Sequence, residues 1–211
     1  MSATAADRDP WVSERLTYRA LEEEDQAFIL DKLLVDAGTR LNLLPSLPVP
    51  PGKKQGKKLW EHFNNNTLMT AIVCKPLPGA ATSSFDEKQR PTPIGVVCLL
   101  SSAERENAHH HRATLGIIIA PDYQSQGYGS EAINWALDFG FIYANLHRIG
   151  LNVWSYNERA MRLYESLGFV HEGRQRDFGW MGGRYQDQIT ISMLEDEWRQ
   201  RRETNSGIVH R

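Results

Sequence analysis

The densest chemical signal in the chain is the segment Ala120-Pro-Asp-Tyr-Gln124-Ser125-Gln126-Gly127-Tyr128-Gly129-Ser130. An apolar run ends there in a proline turn, and a glycine pair then opens a helical pattern. Glycine lets a backbone approach a ligand closely, and the first turn of a helix carries N–H groups with no intrahelical acceptor. Together these suit an anion such as a pyrophosphate. Taken alone, the segment also reads as a glycine-rich turn without a ligand. Of two familiar phosphate loops, one fails and the other is a weak match. A P-loop needs Gly-Lys-Ser/Thr at the helix start, and Gly129 is followed by Ser130-Glu131. Gly127-Tyr-Gly129-Ser-Glu-Ala132 matches G-x-G-x-x-A, but seven residues separate Ile119 from Gly127, and the next strand ends in Val153-Trp154-Ser155 without the acid a ribose needs.

A second signal lies in Asn157-Glu-Arg-Ala160-Met-Arg-Leu-Tyr164-Glu-Ser-Leu-Gly168-Phe169. Asn157 and Tyr164 are seven residues apart, two helical turns, so an amide at the helix start and a phenol share one face. That face can hydrogen-bond an extended ligand; a capping Asn and a packing Tyr are the structural alternative.

The elements that must carry these residues alternate in type. Residues 15–19, 70–75, 94–100, 112–119 and 148–153 read as strands, and 22–35, 59–64, 130–145 and 157–167 as helices. Ile117-Ile118-Ile119 is too uniformly apolar for a half-solvated strand and belongs inside a covered sheet. Ser155-Tyr-Asn-Glu158 fits a capping box and Gly168 a C-terminal cap. Phe178–Trp180 and Gln188–Met193, joined through Gly182-Gly183, form a final antiparallel pair. Leu44–Lys58 and Pro76–Pro93, rich in Pro, Gly and charge, are expected to be irregular connections, the second of them mobile. The order β–α–β over 112–153 predicts a parallel neighbour in an α/β sheet covered by helices. One domain over residues 14–199 is expected, with tails at 1–13 and 200–211.

Composition limits the classes. The 211 residues carry 24 Lys+Arg and 26 Asp+Glu, a net charge of -2, which disfavours nucleic acid as a partner because duplex binding rests on phosphate neutralisation. Two cysteines, Cys74 and Cys98, are too few for a disulfide framework or a four-thiolate zinc site. Both fall in predicted strands and read as buried packing residues rather than nucleophiles. No apolar stretch approaches a membrane span, and no secretory signal is visible at the N-terminus, so a cytoplasmic protein is expected. His109-His110-His111 reads as a solvated turn rather than a metal site, and the basic run Lys53, Lys54, Lys57, Lys58 as a solvated face.

In combination, the two motifs resemble the acetyl-CoA site of the GNAT N-acetyltransferase superfamily. Gln124-x-x-Gly127-x-Gly129 is similar to its Q/R-x-x-G-x-G/A motif, and Asn157-x-x-Ala160-x-x-Leu163-Tyr164-x-x-x-Gly168-Phe169 to its later helix motif. The resemblance runs from about Arg15 to Trp198, nearest the branch of ribosomal-protein N-terminal and spermidine N-acetyltransferases. It implies a mixed, mostly antiparallel sheet in which the strand bearing the Ile run splays from a parallel neighbour, 148–153. It implies acetyl-CoA as cosubstrate and no metal. Ile117, Ile118 and Ile119 would meet the pantetheine arm, the amides of Gln124, Ser125, Gln126, Gly127, Tyr128, Gly129 and Ser130 the pyrophosphate, and Asn157 the arm further along. Tyr164 would approach the sulfur and serve as general acid.

The chemistry also follows from the bond being broken. A thioester needs a neutral amine, a donor for the developing oxyanion and a proton for the leaving thiolate. A backbone N–H near Ile117 and the Tyr164 phenol supply the last two. Neutralising an alkylamine of pKa ~10.4 at pH 7.4 costs ~4 kcal/mol, a peptide N-terminus near 7.7 under ~1. A polyamine therefore needs a base or water relay more than a peptide does. Asp31, Asp36, Glu61 and the His109–His111 run are candidates by type. Asp31 and Asp36 with the 41–58 loop are expected on one substrate wall, and the Gly182-Gly183 hairpin on another. The expected partner is a primary-amine substrate, a small molecule or a peptide N-terminus, and a homodimer is compatible with this reading. A CoA-binding sensor without catalysis is the alternative of another class.

Overall fold

The computed structural model describes residues 9–43, 49–50, 52–65, 67–76, 90–101 and 109–207. Most of the Pro76–Pro93 connection lies outside them. Seven strands form one sheet in the order β1-β2-β3-β4-β5-β7-β6, where β1 is Thr17–Arg19, β2 Thr67–Lys75, β3 Thr92–Leu100, β4 Arg112–Ile119, β5 Arg148–Trp154, β6 Val170–Met181 and β7 Arg184–Leu194. Every neighbouring pair is antiparallel except β4 with β5, which run parallel. This is the mixed, mostly antiparallel sheet that the family resemblance implied.

The β4–β5 pairing is short. It holds at Arg112↔Arg148, Ala113↔Ile149 and Thr114↔Gly150 and goes no further. Beyond Thr114, β4 stays with β3 as far as Ile119, while β5 stays with β7 as far as Trp154. The two strands therefore splay, leaving one edge of each backbone without a strand partner.

Both faces of the sheet are covered. On one face α4 (Tyr128–Asp138) and its following π turn (Phe139–Tyr143) bury Ala132, Ile133, Ala136, Leu137 and Phe141 against Val97, Leu99, Leu115 and Ile149. On the other, α1 (Asp25–Phe28), its π turn (Ile29–Leu33) and α3 (Lys53–Asn65) bury Ile29, Leu33, Leu59 and Phe63 against Ile72, Val96 and Ile118. Burying a side chain of this size contributes about 1.5–3 kcal/mol, so the continuous β4 run is repaid from both sides. The helices expected at 22–35 and 130–145 thus each end in a π turn, a change of hydrogen-bond step that apolar spacing does not register.

Several expectations need correction. The 44–58 stretch is not an irregular loop throughout: from Lys53 onward it is the first turn and a half of α3. Lys and Gln are good helix formers, and Gly56 is there because α3 packs closely on the π turn; a Cβ added to it would lie 3.2 Å from Leu30 Cβ. Ala37–Leu43 forms a further helix, α2, where none was expected. The final strands are much longer than 178–180 and 188–193, because β6 and β7 pair along most of their length. They are followed by α6 (Glu195–Gly207), which runs into the segment expected as tail. The cap of α5 (Glu158–Leu167) is Asn157, whose Oδ1 accepts from Ala160 N–H at 3.2 Å, rather than a Ser155 capping box. Gly168 ends α5 at φ 93°, a left-handed cap as expected.

Candidate active site

The splay between β4 and β5 opens into a cleft of about 1350 Å³. Its walls show how the local fold orients each group. Ala120 N–H donates to Ile94 O at 2.8 Å, and Ile118 sits opposite Val96 in the same ladder. In an antiparallel ladder the hydrogen-bonded positions alternate, so Ile118 turns its backbone to β3 while Ile117 and Ile119 turn theirs to the gap. All three residues line the cleft, with Leu151, Asn152 and Val153 of β5 opposite.

At the end of β4 the chain turns through Pro121–Tyr123 into the glycine segment. Ser125 and Gly127 both take left-handed backbone, φ 60° and 83°. None of the amides from Ser125 to Ser130 donates to an acceptor among the described residues; the first helical bond of α4 is Glu131 N–H to Gly127 O at 3.1 Å. Ser125, Gly127, Gly129 and Ser130 face the cleft, so this is a set of free donors at a helix N-terminus. Gly129 discriminates between a ligand site and a mere turn. A Cβ there would meet Leu163 Cδ2 at 3.8 Å and Ile119 Cγ1 at 4.0 Å, ordinary contacts, so the protein's own packing does not demand glycine. The residues fit a pyrophosphate that lies close against the backbone.

The remaining motif side chains serve the loop itself. Gln124 Nε2 donates to Ile119 O at 2.8 Å, and its Oε1 accepts from Arg159 of α5 at 3.1 Å. Gln126 and Tyr128 do not line the cleft. Gln126 Nε2 donates to Asp122 O at 2.9 Å, and Tyr128 is buried beneath the guanidinium of Arg15, 4.8 Å from its ring centroid.

Arg15 is a residue that motif spacing misses. Its Nε donates to Glu131 Oε2 at 2.8 Å and its Nη1 to Gln126 O at 3.0 Å. Glu131 also accepts from the Arg15 N–H at 2.6 Å and from Ser13 Oγ at 2.7 Å. A carboxylate in the first turn suits the helix dipole but opposes an anion bound there, and Arg15 neutralises it. These groups are 116 positions apart in sequence, so only the folded chain brings them together.

Across the cleft, Asn157 and Tyr164 of the α5 motif both line the wall, together with Ala160 and Leu163. Asn157 spends its Oδ1 on the cap, and its side-chain N–H groups have no acceptor among the described residues. Tyr164 packs edge-on to Phe169 at 5.6 Å between ring centroids. Its hydroxyl has no hydrogen-bond partner among the described residues. Burial pushes its phenol up to about 12, so it is a proton-bearing donor throughout the physiological range.

Of the candidate bases, Asp36 lines the cleft, but Asp31, Glu61 and the histidine run do not. Asp36 Oδ2 accepts from Thr39 N–H at 2.6 Å and Thr39 Oγ1 at 2.9 Å, and these bonds hold its carboxyl below the usual range. Glu61 is 3.9 Å from Lys57. His109 and His110 face each other on an exposed turn, and His111 Nδ1 lies 2.9 Å from Asn145 O. Gly182 and Gly183 close the β6–β7 hairpin away from the cleft, so the second expected substrate wall is not there. His62 and Lys58 of α3 line it instead. Cys74 and Cys98 are buried, and burial raises their thiols to about 11 and about 12, which makes nucleophilic roles unfavourable.

Comparison with known proteins agrees with this architecture. The Acetyltransferase (GNAT) family model matches residues 53–169, more than half of the 211 residues. The chain is 41% identical to the spermidine N(1)-acetyltransferase of Vibrio cholerae over 110 residues, which are 52% of this chain and 61% of that protein. It is 35% identical to the spermidine N(1)-acetyltransferase of Escherichia coli K12 over 44% of this chain and 50% of that protein. The chain thus spans about half to three fifths of the length of these relatives. Among solved structures, that of spermidine N-acetyltransferase from Vibrio cholerae with CoA and spermine superposes with a TM-score of 0.70 and 30% identity, covering 89% of this chain and 99% of that one. The family model spans both the glycine segment and the α5 motif and covers more than half of the chain, and the chain belongs to the GNAT acetyltransferases.

Proposed function

We propose that this chain transfers the acetyl group of acetyl-CoA to the nitrogen of a primary amine, by direct attack within a ternary complex. The observation that carries this reading is the continuity of the cleft: it runs from the free amides of Ser125, Gly127, Gly129 and Ser130, along the unpaired edge of β4, to Tyr164. The relatives named as spermidine acetyltransferases support an amine acceptor.

Each residue in the cleft then has a task. Ser125–Ser130 amides bind the pyrophosphate, Asn157 and the β4 edge hold the arm, and the Ile117 N–H stabilises the carbonyl oxygen as it gains charge. One N–C bond forms and one C–S bond breaks. The Tyr164 phenol hydrogen-bonds the departing sulfur and supplies its proton; the proton lost by nitrogen leaves through water and restores the phenol. With the phenol at about 12 and a thiol near 8.5, transfer to a free thiolate is uphill by roughly three to four pK units. Donation must therefore accompany C–S cleavage rather than follow it.

Release of CoA with a panel of small amines, polyamines and short peptides tests the proposal. Amine-dependent release is expected. Tight acetyl-CoA binding with no turnover on any acceptor would make the protein a CoA sensor instead.

A further inference from the structure

The wall opposite Tyr164 says something about the acceptor. Gln55, Lys58, Leu59, His62 and Phe63 of α3 all line the cleft, a stripe at i, i+3, i+4, i+7 and i+8 on one helical face. Leu59 and Phe63 are buried and anchor this face to the sheet, so Lys58 and His62 are presented at its rim on a fixed support. The Lys58 ammonium makes no ion pair with a described residue, unlike Lys57 one position earlier, which sits 3.9 Å from Glu61. On the adjoining wall stand Thr39 and Asn42 of α2 and, just before it, the carboxylate of Asp36, which already takes two hydrogen bonds from Thr39. The Tyr156 hydroxyl reaches across to Leu41 O at 3.2 Å and ties this wall to the turn before α5. The other cleft cation, Arg159, is held at the cradle end by Gln124.

We propose, resting on the amine-acetylation reading above, that the acceptor is a primary amine that also bears an anionic group, held by Lys58 and His62 while the amine points toward the thioester. A polycation in the same place would set its second ammonium beside Lys58. Like charges repel, and a carboxylate there gains a charge-assisted hydrogen bond.

A matched pair isolates the effect: 5-aminopentanoate and 1,5-diaminopentane share a chain length and differ in the terminal charge. The wild-type protein should use the amino acid with at least about tenfold higher kcat/KM, and Lys58→Ala should remove about tenfold of that preference. The Kd for acetyl-CoA should be the same in both proteins. Preference for the diamine, or an unchanged preference in Lys58→Ala, overturns the assignment while leaving amine acetylation intact. A weakened acetyl-CoA Kd in Lys58→Ala also overturns it, because Lys58 would then serve the cosubstrate. Absence of turnover with either compound and with every other amine and peptide defeats the acetylation reading itself, and this assignment with it.

Discussion

At the cradle end of the cleft the groups that face a ligand are backbone amides, set by left-handed turns at Ser125 and Gly127 and braced from behind by Arg15 and Glu131. At the end proposed for the acceptor they are the side chains of Asp36, just before α2, and of Lys58 and His62 on α3, all exposed, with α3 packed on the face of the sheet opposite α4. The first arrangement depends on backbone conformation rather than on side-chain chemistry, because an amide donor is the same on every residue. The second can change by one substitution without disturbing the fold. One site can thereby keep its cosubstrate while its acceptor varies.

Changes at the cradle should be large and confined to cosubstrate binding. Gly129→Leu is expected to weaken acetyl-CoA binding by at least ~100-fold, measured by titration calorimetry, because the side chain fills the space an anion needs beside the amides. Gly129→Ala separates binding from folding more sharply. Its Cβ makes only ordinary contacts, and replacing helical glycine stabilises by about 0.5–1 kcal/mol, so Tm should hold or rise while affinity falls. A parallel loss of Tm would show that glycine serves the turn and not the ligand.

Arg15→Ala should give a smaller, indirect effect. The KM for acetyl-CoA should rise about tenfold, with kcat at saturation nearly unchanged, since Arg15 holds the loop and does not touch the reacting atoms. Arg15→Lys should recover part of this through charge alone. A fall in kcat with KM unchanged would contradict the positioning role.

The smallest effect is predicted far from the cleft. Glu172 is paired with Arg148 and accepts from Ser192 Oγ at 2.6 Å; Arg148 first and Ser192 second hold its carboxyl down at about 2, from 4.5. A depressed carboxyl stabilises the fold above the unfolded pKa and loses that contribution as pH falls through the folded one. Its share should therefore be full above pH 4.5 and vanish toward about 2. Glu172→Gln should flatten denaturant stability across that window and leave kcat and KM alone. An altered kcat would mean that the sheet edge communicates with the cleft.

The same division explains what could be read from the chain. The glycine cradle and the Asn157–Tyr164 face are local patterns, complete within a dozen residues, and their spacing alone placed their elements. Arg15 with Glu131 is a contact between distant segments, and nothing in either stretch announces the other. The acceptor wall was obscured for a different reason. Gly, Pro and Lys in 44–58 suggest a loop, yet Gly56 is a packing glycine against Leu30, and the lysines lie on the exposed side of α3 with Lys58 at the rim of the cleft. Helix faces built on tertiary packing carry no signature in composition.

The central claim is that one end of the cleft binds and the other reacts, and Tyr164→Phe tests it most directly. Acetyl-CoA Kd and kcat with a competent amine should be measured on the same preparation. Loss of the phenol proton is expected to lower kcat by ~100-fold or more while Kd stays within about twofold. Unchanged kcat, or a Kd that weakens as much as kcat falls, would contradict the claim.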